Sequence, residues 1–183
     1  MALLHTPEKS ELFYAPDFTL KNIDGETLSY ADIKGENGTV LAFICNHCPY
    51  VHAIIERFVT DAKNLQSHGI GVAAIMPNDT VNYPEDNFDN MQAFAKENGF
   101  SFPYLIDETQ EVAKAYDAIC TPDIFGFNAD GQLQYRGRLD SSGPKDADDT
   151  TVKELVNAMH QIANTGQGPT DQSPSMGCSI KWK

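Results

Sequence analysis

Cys45-Asn46-His47-Cys48 places two thiols one helical turn apart with an imidazole between them. Such a pair supports two kinds of chemistry. A dithiol can close to a disulfide and so move two electrons. Alternatively, two soft sulfurs can hold a metal ion. What decides between them is where the pair sits. Thr39-Val40-Leu41-Ala42-Phe43-Ile44 is a continuous apolar run suited to a strand covered on both faces. Val51, Ile54, Ile55, Phe58, Val59, Ala62 and Leu65 then follow the i, i+3, i+4, i+7 spacing of an amphipathic helix. The thiols therefore fall where a buried strand becomes a helix. A helix start offers unpaired N–H groups and the positive end of the dipole, and both stabilise a thiolate.

On this reading Cys45 stands at the helix mouth as the more exposed, attacking thiol, and Cys48 is the resolving thiol one turn inside. Pro49 is tolerated because first-turn N–H groups have no helical partner. His47 has two readings: a cation that favours the thiolate, or a polar residue filling a helix N-terminus. The metal alternative, a copper or zinc carrier, takes Cys45, Cys48 and His52, at i, i+3 and i+7 on one helix face. Structural zinc usually needs a second close pair, and the other cysteines, Cys120 and Cys178, are far apart in sequence.

The flanking chain supplies a scaffold for that junction. Ile70 to Met76 is a second buried strand, so strand, helix and strand form a parallel βαβ unit. Before it, Phe13 to Leu28 with the turn Asp24-Gly25 reads as an N-terminal hairpin. After it come a polar acidic loop (77–90), a short helix carrying Phe88, Met91 and Phe94, and a strand from Phe102 to Ile106. A helix over Thr109 to Asp117 leads to a hairpin, Ile124–Phe127 and Gln132–Arg138, around Asp130-Gly131. A second acidic loop (141–149) precedes a helix opened by a capping box, Thr151 and Glu154, and burying Val152 and Leu155. Residues 166–174 read as a flexible linker to the chain end.

Composition bounds the function classes. Of 183 residues 41% are apolar and 21% charged, which suits a globular chain with a real core. Acidic residues outnumber basic ones 26 to 13, for a net charge of −13. That excess disfavours nucleic acid and anionic lipid as partners. No apolar run is long enough for a membrane helix, and no export signal is visible in the first residues. A cytoplasmic location is expected, where close cysteine pairs are catalytic or metal-binding. The acidic loops are expected to be solvated surface.

Three further residues bear on the thiol pair. Thr121-Pro122 ends a loop just before the second hairpin, where a cis bond would shape a groove. Because only about 5–6% of X–Pro bonds are cis, the sequence alone gives trans. Cys120 is a candidate third thiol, though a buried small hydrophobe is the commoner role of a free cysteine. Cys178, near Trp182, is either a resolver or ligand reaching in from the tail or part of a packed or frayed end.

Phe43 to Val51, Cys120-Thr121-Pro122-Asp123, and the ending Gly177-Cys178-Ser179-Ile180-Lys181-Trp182-Lys183 resemble the peroxiredoxin-like subgroup of the thioredoxin superfamily. These are redoxin-domain proteins related to the alkyl hydroperoxide reductase and thiol-specific antioxidant family. The likeness runs from about Ala15 to Lys183. It implies an α/β thioredoxin fold: a three-layer α/β/α domain with a central mixed sheet, an N-terminal hairpin and an inserted helix. Residues 1–165 would form the redoxin domain and 166–183 a tail holding Cys178. It also implies a cis Pro122 and a thiol–disulfide oxidoreductase working through Cys45 and Cys48, with Thr121 beside them and no cofactor. Its partners would be a protein or small-molecule disulfide or a peroxide, and a cellular dithiol reductant, with the chain a monomer or homodimer. The enzymatic alternative is a thiol peroxidase with Cys48-Pro49 in the peroxidatic position, resolved by Cys45 or Cys178. In that case Cys45 stands where peroxidases carry Thr, and Arg136 and Arg138 are the candidates for the activating cation.

Overall fold

A computed structural model describes residues 2–7 and 13–183. Its centre is a seven-stranded mixed sheet. The strands are β2 (Thr19–Asn22), β3 (Thr27–Ser29), β4 (Thr39–Phe43), β5 (Gly71–Met76), β6 (Tyr104–Ile106), β8 (Asp123–Phe127) and β9 (Leu133–Arg136). Their order is β3-β2-β6-β5-β4-β8-β9. β4, β5 and β6 run parallel, while β8 pairs antiparallel with β4 from Thr39↔Phe127 to Phe43↔Asp123.

Period-two alternation sends successive side chains of the buried strands to opposite faces. Val40 and Ala42 of β4 face a core shared with the helices α2 (Pro49–Gln66), α3 (Phe88–Glu97) and α5 (Glu154–Thr165). Leu41 and Phe43 face the other core, with α1 (Tyr30–Ile33) and α4 (Glu111–Ala115). Three layers result, with β4 at the middle and wholly buried. α2 presents Val51, Ile54, Ile55, Phe58, Val59, Ala62 and Leu65 to the sheet. Each large apolar side chain so buried is worth about 1.5–3 kcal/mol over leaving it in water, which holds the first turn of α2 against the end of β4.

A second, three-stranded sheet joins the two ends of the chain. Its strands are β1 (Leu3–His5), β10 (Met176–Ser179) and β7 (Cys120–Thr121), in the order β1-β10-β7. Leu3 and Thr121 flank Cys178 on either side. Of the two readings of the chain end, packed or frayed, the structure has the packed one: β10 is a strand pinned along both edges.

Several local expectations are corrected. The N-terminal hairpin is only β2 and β3, and Phe13 to Ala15 instead lies along the β8–β9 turn, where Leu133 N–H donates to Phe13 O. The capping box of α5 does not form. The N-cap is Lys153 without a side-chain bond, Thr151 is held by Ser142 and Asp148, Glu154 pairs with Arg138, and Val152 is exposed. The loop 77–90 is not simply solvated surface: Asp79 and Asp86 are buried, and Pro84–Asp86 forms a 3-10 turn.

Candidate active site

α2 begins at Pro49, so its N-cap is Cys48, with Pro at the first helical position. The carbonyl of Cys48 accepts from the N–H groups of Val51 and His52, both at 3.0 Å. Cys48 therefore stands at the helix mouth, and Cys45 lies on the segment leading out of β4. The expected placement is reversed. Nor is Cys45 the more exposed thiol: Cys45, Cys48 and Cys178 are 1%, 0% and 3% accessible.

Three sulfurs meet at this point. Cys48 Sγ lies 3.0 Å from Cys178 Sγ and 3.1 Å from the carbonyl oxygen of Thr121. Cys45 Sγ is 3.3 Å from Thr121 Oγ1. The Thr121–Pro122 bond is cis, so the fold overrides the statistical preference for trans and sets Thr121 across from both thiols of the motif. Cys120 does not join them. Its thiol points to the carbonyl of Pro122 at 3.5 Å, and burial raises it well above the usual thiol range.

The electrostatics divide the three thiols. Cys48 is lowered from 9.0 to about 4, chiefly because Cys45 donates to it, with Cys178 and the Val51 N–H adding to the effect and burial opposing it. Cys45 is raised well above the usual thiol range, first because its proton is held on Cys48, then by burial and by the carboxylate of Asp86. Cys178 is pushed up to about 12, mainly by burial and then by donating to Cys48. Of the three thiols, Cys48 is the one whose surroundings favour ionisation, while those of Cys45 and Cys178 oppose it.

That ionisation is linked to stability. The folded value of Cys48 lies below its unfolded value near 9.0, so the thiolate stabilises the fold fully above about pH 9. The contribution is lost as pH falls through about 4. Between these limits Cys45 and Cys178 stay protonated, folded or unfolded, and do not interfere. The urea midpoint of the wild type should therefore approach that of Cys48→Ser steadily as pH is lowered from 9 to 4. A gap independent of pH would show that Cys48 titrates as an ordinary thiol.

A buried polar network fixes the motif. Asp86 Oδ1 accepts from Asn46 N–H at 2.8 Å, and Asp86 Oδ2 from Asn78 Nδ2 at 2.8 Å. Asn46 Oδ1 accepts from the hydroxyl of Tyr104 at 2.9 Å. His47 Nδ1 lies 2.7 Å from Asp86 Oδ2 without forming a hydrogen bond, and its ring stacks on Tyr83. His47 is thus turned toward Asp86. His52 is turned away from the thiols: its Nε2 meets the carbonyl of Asn46 at 2.6 Å and its ring packs against Phe94. Among the described residues, the donors close enough to share an ion are Cys45, His47 and Asp86, within 4.8 Å of one another. The trio named for the metal alternative, Cys45, Cys48 and His52, is not brought together.

The candidate cations of a peroxidase site are engaged elsewhere. Arg136 pairs with the buried Asp123 at 2.9 Å and also donates to the carbonyl of Asp117, while Arg138 pairs with Glu154 at 2.7 Å. Asp86, Asn46, Asn78 and Tyr104 are site residues that the sequence reading passes over. Asp86 lies 40 positions from Asn46 in a polar stretch, and nothing in that stretch separates a buried carboxylate from a solvated one.

Residues 14–136 match the AhpC/TSA family. The thiol-disulfide oxidoreductase ResA of Bacillus subtilis is 28% identical over 119 residues, covering 65% of this chain and 62% of ResA. The putative peroxiredoxin Rv2521 of Mycobacterium tuberculosis is 26% identical over 152 residues, covering 83% of this chain and 85% of its own. An uncharacterised conserved protein of Geobacillus kaustophilus, known from its crystal structure, superposes with a TM-score of 0.93 at 43% identity, covering 100% of this chain and 97% of that one.

Proposed function

The chain belongs to the AhpC/TSA family and has the thioredoxin fold, and from that premise we propose that it is a thiol–disulfide oxidoreductase whose attacking group is the Cys48 thiolate. One observation carries the reading. Cys48 caps α2 with protonated thiols on both sides of its sulfur, an arrangement that makes a nucleophile at neutral pH. The Cys48 thiolate attacks a disulfide RS–SR′, forming Cys48–S–S–R and releasing R′S⁻. A second thiol then attacks Cys48 Sγ, closing an internal disulfide and releasing R as a thiol. Two protein thiols are oxidised and one substrate disulfide is reduced. A cellular dithiol running the exchange in reverse completes the cycle. In the simplest form the second thiol is Cys45, whose proton passes to the departing sulfur.

Pro122 and Thr121 complete the site. A proline has no N–H, and the cis bond sets the Thr121 carbonyl toward Cys48. Reduction of insulin, followed by turbidity with dithiothreitol as electron donor, tests the proposal. The wild type should accelerate it, and a rate equal to dithiothreitol alone would reject the reading.

A thiol peroxidase is the second reading, because the ionised thiol is the one followed by proline, Cys48-Pro49. Arg136 and Arg138 are both paired away from Cys48, so neither candidate guanidinium is placed to polarise peroxide there. Peroxide consumption is therefore expected to be slower than disulfide exchange in the same preparation.

A further inference from the structure

The proposed exchange needs a thiol to resolve the mixed disulfide at Cys48, and the structure offers one besides Cys45. Cys178 Sγ lies 3.0 Å from Cys48 Sγ although 130 residues separate them in sequence. We propose that Cys178 is a second resolving cysteine, so that oxidation closes an intramolecular Cys48–Cys178 disulfide as well as the Cys45–Cys48 one. The inference rests on the reading of Cys48 as the attacking thiol.

The position of Cys178 is built rather than incidental. β10 is hydrogen-bonded on both edges, with Cys178 opposite Leu3 on one side and Thr121 on the other. Thr121 is also the residue whose carbonyl touches Cys48. Gly177 allows the close approach. A Cβ at that position would stand 2.1 Å from Thr121 O and 2.9 Å from Pro122 N, so only glycine lets β10 lie this near the cis bond. Beyond the strand, Lys181 N–H donates to Asn78 Oδ1, Asp79 N–H to the carbonyl of Lys181, and Lys183 N–H to Gln110 Oε1. The first two bonds hold the segment after Cys178 against the loop that carries Asp86, and the third against the start of α4. The thiol is therefore ordered next to its target before any chemistry begins, which is the condition for a high effective concentration. Closing from 3.0 Å to a bond of about 2.05 Å is a movement of about 1 Å.

The step balances. Cys178 attacks Cys48–S–S–R at the Cys48 sulfur, the Cys48–Cys178 bond forms as the Cys48–SR bond breaks, and the Cys178 proton ends on the departing RS⁻. The net change is one substrate disulfide reduced for two protein thiols oxidised, whichever thiol resolves.

The test is disulfide mapping. Reduced wild type, Cys45→Ser, Cys178→Ser and Gly177→Ala would each be mixed with one equivalent of an aryl disulfide, quenched in acid, alkylated and digested. Cys45→Ser is expected to give the Cys48–Cys178 peptide at a rate within about tenfold of wild-type closure, and Cys178→Ser only Cys45–Cys48. Gly177→Ala retains every thiol and should still form Cys45–Cys48, with the Cys48–Cys178 product reduced at least about fivefold. Circular dichroism would confirm that this variant is folded. If folded Cys45→Ser stops at the Cys48 mixed disulfide with Cys178 still free, Cys178 is not a resolver. If the wild type itself forms no mixed disulfide at Cys48, the reading beneath the inference has failed.

Discussion

Cys48→Ser should abolish the first chemical step, and Cys45→Ser should not. With an aryl disulfide in stopped flow, wild type and Cys45→Ser are expected to release one equivalent of aryl thiolate in a rapid phase. Cys48→Ser should lose that phase by about a thousandfold or more, the scale on which removing a nucleophile acts. The geometry makes this an asymmetric expectation. Cys48 caps the helix and is lowered to about 4, whereas Cys45 is held protonated by donating to it, by burial and by Asp86. The opposite pattern, with a burst surviving in Cys48→Ser and lost in Cys45→Ser, would restore the assignment that sequence position alone suggests. Loss of the burst in both variants would mean that the two sulfurs act only together. The same variants separate exchange from peroxidase activity when hydrogen peroxide replaces the aryl disulfide, since both activities need Cys48 and only exchange should dominate.

The second large effect is on stability. Asp123→Ala is expected to cost about 3–5 kcal/mol, because it leaves the Arg136 guanidinium buried without its carboxylate. Asp123 is 0% and Arg136 6% exposed, joined at 2.9 and 3.2 Å. Asp123 also accepts from the Ile119 N–H, Arg136 donates to the Asp117 carbonyl, and the guanidinium rests on the Phe125 ring. Together these contacts anchor both ends of the loop that carries Cys120, Thr121 and Pro122. For a domain of this length the loss corresponds to a fall in Tm of about 6–20 °C. Burial raises the Asp123 carboxyl even with Arg136 beside it, so the pair is held at a desolvation cost. Asp123→Leu combined with Arg136→Met should accordingly be milder than Asp123→Ala alone. Urea denaturation of the three proteins checks this, and a single-variant loss below about 1 kcal/mol would show that the pair is effectively solvated.

Much of this fold is written in periodicities. The apolar runs of β4 and β5 and the 3.6-residue spacing of α2 leave few other arrangements, and Asp130-Gly131 marks the β8–β9 turn. The thiol pair was equally visible, at a strand–helix junction. The structure puts Cys48 and not Cys45 at the helix mouth, and the sequence carries a signal for it. Proline is favoured at the first helical position, so Pro49 points to Cys48 as the cap. The capping box at Thr151 misled for a different reason. Glu154 is drawn to Arg138 and Thr151 to Ser142 and Asp148, and these competing partners occupy the two side chains that the box would need. β10 was illegible because Met176-Gly177-Cys178-Ser179 has neither alternation nor strand-forming residues. Its conformation comes from the strands on either side. The sequence left a resolving role for Cys178 open, and only the pairing of β10 with β1 and β7 places its sulfur on Cys48.

The sheet that unites β1, β10 and β7 has a consequence for biosynthesis. Cys48 leaves the ribosome 130 residues ahead of Cys178, and at 5–20 residues per second that interval is about 7–26 s. Throughout it the growing polypeptide can already assemble β4, α2 and β5, yet the strand that roofs the sulfurs has not been made. Newborn chains therefore pass through a stage in which a reactive centre is open to any oxidant or electrophile nearby. Only once β10 has been translated can the centre be enclosed.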